Sequence, residues 1–329
     1  MDGSSLSLSP ARQWAKHDFK GHVVVMTTPF NDDLTIDEAA IRSNLAKSQA
    51  LECVNGVYIN SIYNEPTAMT TAERMRIVEI SMSALEPGIT SIVAIGGLSL
   101  PDAIEAAQHA EKLGASMLMF WPPTFGHRSR EGVQAFFKAL MGSVKCPVAL
   151  YRSGLSEFGY LSSIEEISEL ADLFPHFCAI KDASMSVAKY LAIIDALGDR
   201  IAISCPLDEF WVVGRMLMPN KTPGFLLGSS RPLYCETADR HYLSELRSAT
   251  ERGDRTAIEA ALSPVLRISN ELHNRYLEAG GHNVALTKRI TSLLGYVCGQ
   301  VRPPLSLPSM EAMAPARQLF ESVGFTVEA

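Results

Sequence analysis

No stretch of this 329-residue chain reaches the roughly 20 consecutive apolar residues that a bilayer-spanning helix needs. A membrane protein is therefore not expected. Basic residues are also in the minority: 29 Lys and Arg stand against 36 Asp and Glu, a net charge of −7. With no Lys/Arg-rich block either, a nucleic-acid-binding surface is not expected. The six cysteines (Cys53, Cys146, Cys178, Cys205, Cys235 and Cys298) show no CxxC spacing and fall mostly in apolar runs, as reduced, buried thiols do. His127, His176, His241, His273 and His282 are not spaced as metal ligands, His17 and His22 belong to the N-terminal approach, and His109 to a helix. No Walker loop or GxGxxG occurs, and Ser229-Ser230 lacks the Gly-x-Ser-x-Gly elbow of a serine hydrolase. The first 15 residues are polar and Ser-rich, without the apolar stretch of a secretory signal, so a cytoplasmic protein is expected.

What is present is core. Hydrophobic residues make up 47% and charged residues 20%, the balance of a globular chain with ample interior. Apolar runs at 23–26, 54–59, 91–95, 116–121, 147–151, 177–181, 201–204 and 224–227 read as strands. Helical spacing fills the intervals at 36–51, 71–85, 101–113, 130–141, 164–173, 187–197 and 208–217. Such alternation requires parallel strands joined by helical crossovers. Eight units in ~200–250 residues predict a (β/α)8 barrel, with an open doubly wound sheet as the competing arrangement. Beyond residue 232 only helical patterns follow, at 240–251, 256–277, 284–297 and about 310–323. The expected organisation is an N-terminal extension (1–20), a barrel (21–232) and a C-terminal helical domain (233–329).

In such a barrel, chemistry gathers at the C-terminal ends of the strands. Those ends carry Thr28-Pro29, Asn60 to Glu65, Trp121 to Phe125, Tyr151-Arg152, Lys181-Asp182, Cys205 and Gly228-Ser229-Ser230. Lys181 is the most informative of these. A free lysine, with a pKa near ~10.4, is neutral in about one molecule in 2,500 at pH 7, and only the neutral amine attacks a carbonyl. Burial at the end of an apolar strand would raise that fraction. The other reading is a lysine that snorkels from a strand end to water. Tyr151, on the neighbouring strand, is placed to shuttle protons at the same carbonyl carbon, or else is an aromatic at the edge of the core.

Taken together, Thr28-Pro29-Phe30 with Thr35-Ile36-Asp37, then Leu150-Tyr151, Ala179-Ile180-Lys181-Asp182-Ala183-Ser184, Leu293-Leu294-Gly295 and Arg302-Pro303-Pro304-Leu305 resemble a known family. It is the dihydrodipicolinate synthase / N-acetylneuraminate lyase superfamily of pyruvate-dependent class I aldolases, and the resemblance runs from about residue 21 to 323. It implies a barrel with a C-terminal helical extension and a homo-oligomer, dimer or tetramer. It further implies Lys181 as the imine lysine and Tyr151 as the proton relay. No metal or organic cofactor is called for, because the imine on Lys181 is itself the electron sink.

The departures from that pattern are specific. Where the family carries Gly-Thr-Thr-Gly-Glu to hold a keto-acid carboxylate, this chain has Ser61-Ile62-Tyr63-Asn64-Glu65. The hydroxyl pair is gone, leaving Ser61 and backbone amides. Asn64 replaces a glycine, and asparagine tolerates a left-handed backbone. Glu65 is expected to be structural. Phe125 stands where a second tyrosine is usual, and Arg152-Ser153-Gly154 replaces Asn-x-Pro. Either Arg152, as a fork, or Tyr63 is expected to take over the carboxylate; the other reading has Arg152 pointing outward into water. Substrate contacts are thus expected from Thr28, Ser61, Ile62, Tyr63, Phe125, Arg152 and Gly228. Tyr63, Trp121 and Phe125 suggest an apolar or aromatic aldehyde as the partner of a 2-keto acid, as in hydratase-aldolases. The expected activity is a Schiff-base lyase or aldolase. The alternatives are a keto-sugar-acid dehydratase, a dihydrodipicolinate synthase-type condensation by the same lysine, and a catalytically silent keto-acid-binding paralogue.

Overall fold

The computed structural model describes residues 8–124, 126–155, 158–274 and 282–328. Eight strands form one parallel sheet: β1 (Gly21–Val25), β2 (Val54–Ile59), β3 (Thr90–Ile95), β4 (Met117–Phe120), β5 (Val148–Ser153), β6 (Phe177–Ala183), β7 (Ala202–Ser204) and β8 (Phe225–Ser229). The order β7-β6-β5-β4-β3-β2-β1-β8 brings the last strand beside the first. A bond from Leu227 N to Cys205 O, 3.1 Å, spans the remaining seam. The result is a (β/α)8 barrel, and the open-sheet alternative falls away. Six of the eight strands are buried at every residue, because a parallel barrel strand is covered on both faces. That is why these strands read as unbroken apolar runs.

A short helix, α1 (Pro10–Gln13), precedes β1. Arg12 ties this opening segment to the barrel by donating to the carbonyls of Ala171, Phe174 and Phe177. The crossover helices are α2 (Glu38–Gln49), α3 (Thr71–Met82), α4 (Leu100–Lys112), α5 (Arg130–Gly142), α6 (Ile164–Leu173), α7 (Val187–Leu197) and α8 (Asp208–Leu217). Asp37, Thr70, Ser99, Ser129, Ser163 and Ser186 cap six of them, each side chain accepting from an otherwise unpaired first-turn N–H. Thr70 with Glu73 closes the capping box expected from the sequence.

After β8 come α9 (Pro232–Cys235), α10 (Tyr242–Arg252), α11 (Arg255–Ser269), α12 (Val284–Ser292) and α13 (Ala314–Ser322). Of the continuous helix expected over 256–277, the part to Ser269 is α-helical and Asn270–Asn274 form a π-helical turn, while 275–277 lie outside the described residues. The helix expected over 284–297 stops at Ser292, as the chain turns to reach Gly295 at φ +80°. All six cysteines are unpaired, four of them buried. No helix among the described residues is long and apolar enough to cross a membrane.

β5 and β6 extend past their expected ends, to Ser153 and Ala183, because their pairing continues through Arg152↔Asp182 and Ser153↔Ala183. Lys181 is therefore not a strand-end residue. It sits inside β6, opposite Tyr151 on one side and Ser204 on the other, held by backbone pairing on both flanks.

Candidate active site

Lys181 is only 6% exposed, so the snorkelling alternative does not describe it. Its Nζ donates to the Gly228 carbonyl at 3.0 Å and lies 4.7 Å from the centre of the Tyr151 ring and 5.0 Å from that of Tyr58. Burial lowers its pKa to about 7, against a small opposing effect of Cys205. Near neutral pH roughly half of the molecules then carry the free amine. Gly228 is needed for this approach. It adopts φ +72°, and a Cβ there would fall 2.6 Å from Lys181 Nζ and 2.8 Å from the Tyr58 ring.

Tyr151 is buried edge-on against Phe158 at 4.7 Å and tilted against Trp121 at 6.0 Å. The Trp121 indole N–H donates to the Tyr58 hydroxyl at 2.7 Å. Trp121 thus braces the aromatic wall behind Lys181 and is absent from the cavity lining. Tyr63, Tyr151, Lys181, Gly228, Ser230 and His273 share one cavity at the C-terminal ends of the strands. A groove of about 710 Å³ at the opposite end of the barrel, between Lys20, Arg215 and Arg247, holds none of these groups.

The turn after β2 closes on itself. Asn64 Oδ1 accepts from the Ser61 amide at 3.0 Å and the Ser61 hydroxyl at 3.3 Å, while its Nδ2 donates to Thr28 Oγ1 at 3.2 Å. Thr28 Oγ1 in turn donates to the Asn64 carbonyl at 3.0 Å. Asn64 is not left-handed, contrary to the expectation for a residue replacing glycine. Its side chain locks a 3₁₀ turn, Ile62–Asn64, and the left-handed positions are Asn60 and Glu65, both at φ 57°. Ser61 and Thr28 are committed within the turn, and from this segment it is Tyr63 that reaches the cavity.

Arg152 follows neither expected course. Register puts it with Asp182 on the strand face opposite Tyr151 and Lys181. Its guanidinium pairs with Asp182 at 2.5 Å and donates through Nε to the Ser162 carbonyl at 2.8 Å. It is neither solvated nor part of the cavity lining. Phe125 lies outside the described residues.

Two of the strand-end residues, Tyr63 and Ser230, meet groups brought from elsewhere in the chain. Tyr63 Oη lies 3.2 Å from His273 Nδ1 and accepts from Ser230 Oγ at 3.4 Å, and Ser230 Oγ is 2.9 Å from Tyr234 Oη. His282 stands edge-on to Tyr63 at 5.4 Å. Burial holds His273 well below the usual histidine pKa, helped by His282, Arg231 and Lys181. Arg231 also lines the cavity, with its charge taken by Asp208 (3.0 Å) and Glu209 (2.5 Å). Asp208 further accepts from His22 at 2.7 Å. Alternation along β2 points to Tyr58, and the end of β8 to Ser230. No local pattern marks His273 or His282, which tertiary folding carries to the barrel mouth. Among the described residues no group of three or more His, Cys, Asp or Glu is placed to hold a metal ion.

The dihydrodipicolinate synthetase family matches residues 18–319. A 4-hydroxy-tetrahydrodipicolinate synthase of Bartonella quintana (strain Toulouse) is 28% identical over 171 residues, 52% of this chain and 57% of that protein. The alignment thus spans little more than half of that relative. One from Methanococcoides burtonii is 26% identical over 299 residues, 89% of this chain and 94% of that protein. The crystal structure of YagE, a prophage protein of the dihydrodipicolinic acid synthase family from E. coli K12 in complex with pyruvate, superposes with a TM-score of 0.79 at 20% identity, covering 93% of this chain and 98% of that one. With a family match across nearly its whole length and the same barrel, the chain belongs to the dihydrodipicolinate synthetase family.

Proposed function

We propose that the protein is a class I lyase or aldolase that forms a Schiff base between Lys181 and pyruvate or a related 2-keto acid. The single observation that carries this reading is the buried Lys181 amine, with its pKa lowered to about 7 between two phenol rings. The neutral amine adds to the C2 carbonyl, water leaves, and a protonated imine remains. That cation accepts the electron pair released when the C3–C4 bond of a 4-hydroxy-2-keto acid breaks, the 4-hydroxyl giving its proton to a base as its O–H pair becomes the carbonyl bond, which yields an enamine and an aldehyde. Tyr151, paired in register with Lys181, is the group we assign to proton transfer at the imine end. The pyruvate held by YagE supports the choice of keto acid.

The closed turn at 61–64 leaves the keto-acid carboxylate to backbone amides there rather than to side-chain hydroxyls. Tyr63 and the aromatic wall behind Lys181 favour an apolar or aromatic aldehyde. We further propose a cytoplasmic homo-oligomer, dimer or tetramer. The second reading, a silent keto-acid-binding paralogue, draws on the same turn, in which Ser61 and Thr28 are already occupied.

Incubation with pyruvate and borohydride, followed by peptide mass spectrometry, tests the proposal. A reduced pyruvyl adduct on Lys181 is expected. Absence of an adduct with a panel of 2-keto acids, in folded protein, would leave the silent paralogue.

A further inference from the structure

Two tyrosines, Tyr63 and Tyr151, face the Lys181 cavity from different elements, and the hydroxyl of Tyr63 meets a histidine. Tyr63, only 3% exposed, sits with Oη 3.2 Å from Nδ1 of His273. Ser230, one residue beyond β8, donates to the same phenol oxygen and adjoins Tyr234. His273 is delivered by the π-helical turn at the end of α11. Such turns aim a side chain that a regular helix would direct elsewhere, and they are frequent at functional sites.

We propose that Tyr63 and His273 form a two-step proton relay that receives the proton released when the Lys181 iminium is converted to its enamine. The inference rests on the Schiff-base reading above and gives that site its acid–base pair. With His273 protonated at Nε2, the Tyr63 hydroxyl donates to Nδ1. When the C3–H bond of the pyruvyl iminium breaks, its electron pair forms the C2=C3 double bond and the C=N pair returns to the Lys181 nitrogen. The C3 proton passes to Tyr63 Oη as the Tyr63 proton passes to His273 Nδ1. One positive charge leaves the lysine nitrogen and one arrives on the imidazole, so the net charge of the cavity is the same before and after.

This conservation of charge explains how a poor base can serve. The groups facing His273 are Tyr63, Tyr234 and His282, with the charges of Arg231 and Lys181 nearby. Arg231 is balanced by Asp208 and Glu209. The Lys181 charge is one of the influences that depress His273, and enamine formation removes it. The imidazole therefore gains proton affinity at the step that demands it. The reverse transfer delivers a proton to C3 when an enamine is left by aldehyde release.

The test needs pyruvate alone. Exchange of its methyl protons in D2O, followed by proton NMR, reads enamine formation, while borohydride trapping on Lys181 reads the imine. We expect Tyr63→Phe and His273→Gly to trap pyruvate within a few-fold of the unmodified protein and to lose exchange by about 100-fold or more. Added imidazole should restore exchange to His273→Gly and not to Tyr63→Phe, an outcome that a merely structural role for the histidine would not produce. If His273→Gly fails to fold, Tyr63→Phe, which keeps the ring, carries the test. Undiminished exchange in Tyr63→Phe, or no exchange by unmodified protein that traps pyruvate, overturns the relay alone. Failure of the unmodified protein to trap any 2-keto acid overturns the Schiff-base reading together with it.

Discussion

Lys288 and Glu65 form a fully buried ion pair: Nζ is 2.8 Å from Oε1, and the two side chains are 0% and 1% exposed. The ammonium also donates to the carbonyls of Thr28 at 2.8 Å and Gln300 at 2.5 Å, and Glu65 Oε2 accepts from the Arg302 amide at 3.1 Å. One lysine from α12 thus joins the segment after β1, the turn after β2 and the C-terminal segment. Glu65 is the structural residue that its position in the sequence suggested.

Breaking one side of this pair should be far worse than removing both. Lys288→Met strands a buried carboxylate, a loss of about 3–5 kcal/mol. Glu65→Gln combined with Lys288→Met removes both charges and should recover much of that loss. Urea unfolding of the single and double variants measures the difference. Equal midpoints would show that the pair is not coupled.

Lys181 should give stability a characteristic pH dependence. Its pKa is about 7 in the folded protein, against about 10.4 in the unfolded chain. Between those values the unfolded chain binds a proton that the folded protein has released, so stability rises with pH across the window. The burial cost is felt in full below about pH 7 and is relieved by about pH 10. Lys181→Met should be the more stable protein at about pH 7, and its lead should shrink as pH rises. Unfolding of both proteins over that range checks the sign, and parallel curves would count against a depressed lysine.

Arg152 separates packing from substrate binding. Arg152→Ala leaves Asp182, itself 1% exposed, without its guanidinium, and destabilisation of about 3–5 kcal/mol is expected. The KM for the keto acid should not change, since the guanidinium is turned from the cavity. A large rise in KM at unchanged stability would reverse this assignment.

The barrel was legible because parallel strands buried on both faces leave unbroken apolar runs, and because Ser, Thr and Asp caps mark where all but one of the crossover helices begin. The juxtaposition of Lys181 and Tyr151 was legible for a related reason, since neighbouring strands bring their inward residues together. Other features depend on longer-range events. Asn64 stands where the family resemblance puts a glycine, yet its side-chain amide bonds to Ser61 and Thr28, and the left-handed residues are Asn60 and Glu65. His273 and His282 belong to the C-terminal part and meet Tyr63 only when that part docks on the barrel. Arg152 looked available because β5 was expected to end at residue 151, whereas the strand continues to Ser153 and its alternation turns Arg152 away from the face of Tyr151.

The pairing of Tyr151 with Lys181, and of Arg152 with Asp182 one step further, makes the cavity's chemistry a matter of parity. A single-residue deletion at the start of β6 would put Asp182 where Lys181 stands, replacing a latent nucleophile with an anion and turning the lysine outward. No intermediate geometry lies between these two arrangements. The turn after β2 and the C-terminal helices carry no such parity constraint, while the strands that present the amine must be inherited without slip.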